Sequence, residues 1–146
     1  MENMKTTKMH VLLWEDIEYT EVTVKKNVPE ESGIYILLVS YENTTWRRLY
    51  VGQADNLKIR LLQHLSDSEK NNEIKTCVFK FRCIAIFATV RNQADRDSIE
   101  KFLYDEYKRR GELRGNKISP PKENVEPIEV NIPEHTLIHL CVPSLS

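Results

Sequence analysis

The sequence is short of cysteine, has no long apolar run and shows no dominant charge, and each shortage removes a class of protein. Its cysteines, Cys77, Cys83 and Cys141, are odd in number and form no C-x-x-C pair. A disulfide framework is therefore not expected, and they read as reduced core residues of a cytoplasmic protein. No apolar stretch approaches the roughly 18 residues of a membrane span. Residues 1–9 are polar and lack the apolar stretch of a signal peptide. With 21 Lys and Arg against 22 Asp and Glu, the charge balance argues against a purely electrostatic nucleic-acid binder. It leaves room for a basic face, because a net sum hides where charges sit. There is no internal repeat and no low-complexity tract.

What is present fits one folded unit. A chain of 146 residues, 40% hydrophobic, is expected to form a single domain spanning residues 1–146, with its core at about 32–116. Residues 10–26 alternate loosely and read as one or two short strands. Gly33 to Val39 is apolar on both alternating faces, as in a central strand covered on both sides. Residues 42–45 carry a turn signal, and Trp46 to Gln53 reads as the returning strand of a hairpin. A helix is predicted from Ala54 or Asp55 to about Ser66, with Leu57, Leu61 and Leu65 on one stripe. Asp67 to Lys75 reads as a polar loop and Cys77 to Val90 as a long strand. A second helix follows from about Gln93 to Arg110, closed by Lys108, Arg109 and Arg110 and by Gly111 as a left-handed cap. Residues 112–127 carry three prolines and read as loop, and Leu137 to Val142 as a further short strand. That strand could pair with residues 128–132 or with the N-terminal strands. The predicted class is α/β: a small, mainly antiparallel sheet with a β-β-α-β-α core flanked by helices, and extra short strands at the termini.

Gly33-Ile34-Tyr35, followed beyond residue 49 by Tyr50-Val51-Gly52, resembles the paired motifs that name the GIY-YIG endonucleases. The run from Gln53 to Arg60 resembles the family's entry into its first helix, which bears a functional arginine, and His64 matches a position the family fills with Tyr or His. Glu100 looks like the metal-binding glutamate of the second helix, and Asn116 like the C-terminal asparagine. The resemblance covers about Ser32 to Asn116. The connection between the two motifs is longer than usual for the family, and valine stands for isoleucine in the second. Arg114 to Lys117 lacks the proline often found shortly before the asparagine, whereas Asn124 follows Pro121.

The resemblance implies a hydrolase that cuts DNA phosphodiester bonds with Mg²⁺ or Mn²⁺ held by Glu100. Tyr35 would help activate the attacking water and Tyr50 would position water or phosphate. The residue types suit that chemistry in their own right. Arg60 offers planar charged donors for phosphate, and His64, one helical turn on, could relay a proton or hold a phosphate. One glutamate can anchor Mg²⁺ while waters and substrate oxygens complete its shell. Gly52, Lys58, Arg60, Arg114 and Lys117 are the candidate nucleic-acid contacts. With only short extensions on the core, the chain would cut structured or nonspecific DNA, or take its specificity from a partner protein.

Taken singly, each residue has a plainer reading. Tyr35 and Tyr50 could be there because strands favour tyrosine, and Gly52 because it ends a strand. Arg60 and His64 could be a solvated helix face, and Asn116 a turn residue. Asp97 to Glu100 imitates a capping box, although the apolar pattern starts the helix a turn earlier. His135, His139 and Cys141 lack a second cysteine pair and alternate like a strand, so they read as structural. The alternative functions are a non-catalytic nucleic-acid-binding module of the same fold, an RNA-directed nuclease, and a plain interaction domain.

Overall fold

In a computed structural model of the chain, residues 8–41, 45–116 and 128–132 are described. Their elements run β1 (Lys8–His10), β2 (Glu15–Glu18), α1 (Glu21–Asn27), β3 (Gly33–Ser40), β4 (Arg47–Ala54), α2 (Leu57–Leu65), α3 (Asn72–Lys80), β5 (Arg82–Thr89), α4 (Gln93–Arg109) and β6 (Ile128–Val130). The main sheet is four-stranded and antiparallel, in the order β2-β5-β3-β4. The fold is α/β, with the mainly antiparallel sheet and flanking helices that the pattern predicted.

The two apolar faces of β3 explain the layering. All eight of its residues are buried. Tyr35, Leu37 and Val39 pack with Val24, Leu57, Leu61 and Ile74 from α1 to α3. Ile34, Ile36 and Leu38 pack with Ile99, Leu103 and Tyr107 of α4. Period-two alternation thus feeds one strand into two cores. The pair β1–β6 is parallel, so residues 128–130 join the N-terminal strand. Leu137 to Val142 lies outside the described residues.

Two predicted segments are corrected. Residues 21–27 form a helix rather than strand, because Thr20 accepts the Thr23 N–H and Thr23 reciprocates in a capping box. The Val22/Val24 alternation misled: Val22 is exposed and only Val24 is buried. Residues 72–80 likewise form a helix where loop and strand were expected. Asn71 caps it by accepting the Ile74 N–H, and Ile74 and Cys77 bury at i, i+3 spacing. The β-rich appearance of Cys77-Val78-Phe79 comes partly from Phe79, which lies on the surface.

The two predicted helices stand with adjusted ends. Asn56, not Asp55, caps α2. Asn92 caps α4, so Glu100 lies inside the helix and the Asp97 capping box does not form. Gly111 has φ +79°, the left-handed cap expected after α4. Among the described residues, no helix is long and apolar enough to cross a membrane.

Candidate active site

Hairpin register places the first two side chains. Tyr35 lies opposite Gly52, and Leu37 opposite Tyr50. The ladder then slips, so that Leu38 pairs with Arg48 and Leu49 has no opposite partner. This bulge puts the adjacent Leu49 and Tyr50 on one face, where strict alternation would turn Leu49 toward α4. Tyr50, two residues before Gly52, falls diagonal to Tyr35, with the rings stacked and their centroids 6.0 Å apart.

Gly52 makes room for both phenols. A Cβ there would meet the Tyr35 hydroxyl at 2.5 Å and the Tyr50 ring at 2.8 Å. No larger residue fits without moving them.

Helix α2 brings the next two groups to the same oxygen. Arg60 and His64, one turn apart, share a face. Arg60 Nε donates to the Tyr35 hydroxyl at 3.3 Å, and His64 Nε2 lies 2.8 Å from it. The His64 ring also meets Tyr50 edge-on, with centroids 5.3 Å apart. Its other nitrogen, Nδ1, makes a short contact with the carboxylate of Glu69. Tyr35 has 0% and His64 2% relative exposure, whereas Tyr50 and Arg60 are partly exposed. His64 is therefore not part of a solvated helix face.

Burial sets the protonation states. It holds the Tyr35 hydroxyl well above the usual tyrosine range, and the Tyr50 phenol adds to this while the Arg60 charge opposes it. His64 is pushed down, first by burial and then by the positive Arg60, against the pull of Glu69. Burial acts to raise Glu69, but the Asn71 N–H, His64 and Arg60 together bring it below the ordinary carboxylate range. The resting cluster is thus a neutral phenol, a neutral imidazole and an ionised Glu69.

Gln53, next to Gly52 in β4, points to α4 instead. Its amide nitrogen donates to Glu100 Oε1 at 2.8 Å and to Asp97 Oδ1 at 2.9 Å. Gln93 donates to Asp97 and to the Gln53 side-chain oxygen, both at 2.8 Å. Glu100 is raised above the usual glutamate range by burial, then by the negative Asp97, with Gln53 countering. Among the described residues neither carboxylate has an ion-pair partner. Two hard oxygen donors gathered on a neutral amide suit a divalent cation that keeps most of its waters. No cluster of three or more His, Cys, Asp or Glu among the described residues could hold a metal.

Asn116 does a different job from the other candidate residues. Its Oδ1 accepts the Val51 N–H at 2.9 Å and its Nδ2 donates to the Val51 carbonyl at 3.0 Å. One side-chain amide thus takes the place of a neighbouring strand on the open edge of β4. Leu113 and Gly115 continue that cover with N–H bonds to the carbonyls of Arg48 and Leu49.

The structure joins Tyr35, Tyr50, Gly52, Arg60 and His64 in one cluster, whereas Glu100 stands outside it, bonded to Gln53 on the α4 side. Lys58 is two residues from Arg60 on α2 and so faces elsewhere. Arg114 lies over the Tyr41 ring, 5.9 Å from its centroid. Lys117, Asn124, His135, His139 and Cys141 lie outside the described residues. Sequence reasoning missed Gln53, Asp97 and Glu69. Gln53 follows the second motif directly, and Asp97 precedes Glu100 by three residues on a helix, so both were open to inspection. Glu69 lies beyond the end of α2, where no periodicity marks it.

A family model described as the GIY-YIG catalytic domain matches residues 31–114. The chain is 33% identical over 85 residues to UvrABC system protein C of Aquifex aeolicus (strain VF5), a match covering 58% of this chain and 14% of that protein. The chain thus spans a small part of that relative's length. No solved structure matches the chain.

Proposed function

The chain belongs to the GIY-YIG catalytic domain family, and from that premise we propose that it is an endonuclease hydrolysing DNA phosphodiester bonds with one divalent metal, Mg²⁺ or Mn²⁺. One observation supports this most: a single phenol oxygen, on Tyr35, meets Arg60 and His64 and lies over the gap left by Gly52.

Phosphodiester hydrolysis needs a phosphate held in place, a water relieved of a proton and relief of charge on the phosphate oxygens. Arg60, cationic and partly exposed, is the group to hold the phosphate. Tyr50, also partly exposed, would position water or phosphate beside it. The raised proton affinity of Tyr35 argues against a resting tyrosinate. It is compatible with a neutral phenol that takes one proton and gives up another, which the His64 contact supports. The burial of His64 favours proton relay over phosphate contact.

Glu100, assisted by Asp97, would hold the metal, and the residues fit it because both accept from the neutral Gln53 amide and neither has an ion-pair partner among the described residues. When bound, the ion would act as Lewis acid and template at the scissile phosphate. Asn116 would contribute by fixing the β4 edge from which Tyr50 and Gly52 project. Lys58, Arg114 and Lys117 are proposed as outlying contacts to the nucleic-acid backbone. A partner protein would supply sequence specificity. The relative's name, which makes it one protein of a system, fits such an arrangement.

The test is nicking and linearisation of plasmid by the purified protein with and without Mg²⁺ or Mn²⁺, beside Glu100→Ala and a matched RNA. Metal-dependent DNA cutting lost in Glu100→Ala is the expected result. Binding without cutting on plasmid, single-stranded and branched DNA would make the domain a binding module, and selective cutting of the RNA would move the substrate to ribose.

A further inference from the structure

The contact between His64 and Glu69 gives the buried cluster a direction. A neutral imidazole carries one N–H, and an ionised carboxylate only accepts. Nδ1 of His64, set against Glu69 Oε2, must therefore be the protonated nitrogen. That leaves Nε2 as a bare lone pair 2.8 Å from the Tyr35 oxygen, so the phenol donates to it. Arg60 Nε has only a hydrogen to offer, and it fills the acceptor side of the same oxygen at 3.3 Å. Every hydrogen bond in the chain then points one way: Arg60 to Tyr35, Tyr35 to His64, His64 to Glu69.

We propose that Glu69 is a positioning residue that fixes His64 as the Nδ1–H tautomer and so makes Nε2 the acceptor for the Tyr35 proton. The catalytic consequence rests on the nuclease reading above, whereas the tautomer does not. When Tyr35 accepts a proton from the attacking water, its own O–H proton passes to His64 Nε2, and the hydroxide forms its bond to phosphorus. The phosphorus–oxygen bond to the leaving group breaks, solvent protonates the departing oxygen, and His64 afterwards returns its proton to solvent through Tyr35. The imidazolium formed on the way is held by Glu69, the same division of labour as between carboxylate and imidazole in a Ser-His-Asp triad.

The surroundings make this help necessary. His64 faces Tyr35 from β3, Tyr50 from β4, Arg60 from its own helix and Glu69 from the loop after it. Of these, only Glu69 favours a positive imidazole. Glu69 is itself held, since its Oε1 accepts the Asn71 N–H at 2.9 Å. Asn71 in turn caps α3 and donates to the Gly115 carbonyl at 2.7 Å. The carboxylate is thus tied to the segment that covers the β4 edge.

The experiment is ¹⁵N NMR of the histidine rings in the resting protein at pH 7, with His64→Gln identifying the His64 signals, followed by Glu69→Gln. Glutamine can keep the Asn71 bond and loses the charge. We expect the Nδ1–H tautomer in the wild type and a mixture in Glu69→Gln. In cleavage assays kcat should fall about 10²–10⁴-fold, with KM within about threefold and the acidic limb of the kcat–pH profile displaced. An Nε2–H tautomer in the wild type overturns the proposal, and so does a Glu69→Gln enzyme with unchanged kcat and pH profile. If the wild type cuts no DNA, the nuclease reading fails by itself. The wild-type tautomer then decides for or against Glu69.

Discussion

The Cβ that Gly52 lacks would fall 2.5 Å from the hydroxyl oxygen of Tyr35, its partner across the β3–β4 ladder. The glycine is therefore needed for the approach of a side chain, and the cost of replacing it falls on the phenol. Gly52→Ala must displace Tyr35, Tyr50 or the strand. Overpacking of this kind typically costs about 1–3 kcal/mol, and a misplacement near 1 Å can cost about 10²-fold in rate. Thermal melts and single-turnover cleavage should show a modest loss of stability beside a loss of activity near that size. Normal cleavage by Gly52→Ala would mean that Tyr35 is not placed by this contact.

Arg60 touches the Tyr35 oxygen through Nε, while its partly exposed guanidinium is proposed to meet phosphate. Lysine keeps the charge but not the fork, so Arg60→Lys should retain most DNA affinity and lose about 10–100-fold in kcat/KM. Removing the charge should act on affinity instead. If Arg60 neutralises one phosphate, Arg60→Ala lowers the slope of log K against log salt by about 0.9 on duplex DNA. Titrations at several salt concentrations separate the two effects, and an unchanged slope in Arg60→Ala would remove Arg60 from the phosphate.

How much of this was legible in the sequence depended on how local the signal was. The two faces of β3 were readable because every position from Gly33 to Val39 is apolar or aromatic, and period two needs no knowledge of partners. Helix α4 was readable from its apolar spacing and its basic, glycine-capped end. Helices α1 and α3 were not. Helix α1 has 7 residues, and α3, although as long as α2 at 9, carries Thr76, Val78 and Phe79 where α2 has a leucine stripe, so their caps decide them.

The site divided in the same way. Tyr35, Tyr50, Gly52, Arg60, His64 and Glu100 could be named because motif and helix spacing place them. Their burial could not be read, since it depends on α1 to α3 closing over one face of the sheet. The bulge at Leu49, which turns Leu49 to the same side as Tyr50, follows from pairing with β3 and has no local signature. Glu69 was hidden for a related reason: its partner, His64, is defined only after the chain has turned out of α2.

Asn116 offers a test that separates holding from reacting. Both of its amide atoms are engaged with Val51, and it is 8% exposed. Asn116→Ala leaves a buried N–H and carbonyl without partners, at about 1–3 kcal/mol for each unsatisfied group. The melting temperature should drop by several degrees, and activity at low temperature should fall less than in Gly52→Ala. In Asn116→Asp the carboxylate can still accept the Val51 N–H but is set against the Val51 carbonyl, so it should not restore stability. An unchanged melting temperature with activity abolished would make Asn116 a reacting group rather than a support.

Glu100 couples stability, pH and metal with opposite signs. Its carboxyl binds its proton more tightly in the folded protein than an ordinary glutamate, chiefly through burial and then through Asp97. The folded state therefore holds more protons than the unfolded one between the ordinary value, near roughly 4.3, and the raised one. Stability contributed by this group is full below the lower value and is lost as pH rises through the higher. Without metal, Glu100→Gln should therefore melt close to wild type at pH 4 and above it at pH 7. A divalent ion reverses the order, because it binds the folded wild type and stabilises it by mass action. Adding Mg²⁺ at pH 7 should raise the wild-type melting temperature and leave the variant unmoved. Plasmid cleavage by the variant should fall by at least about 10²-fold, as expected when charge stabilisation at a reacting phosphate is removed. A variant that melts below wild type at pH 7 without metal would show that the Glu100 charge is already compensated in the apo protein. An equal Mg²⁺ response in both proteins would place the ion elsewhere.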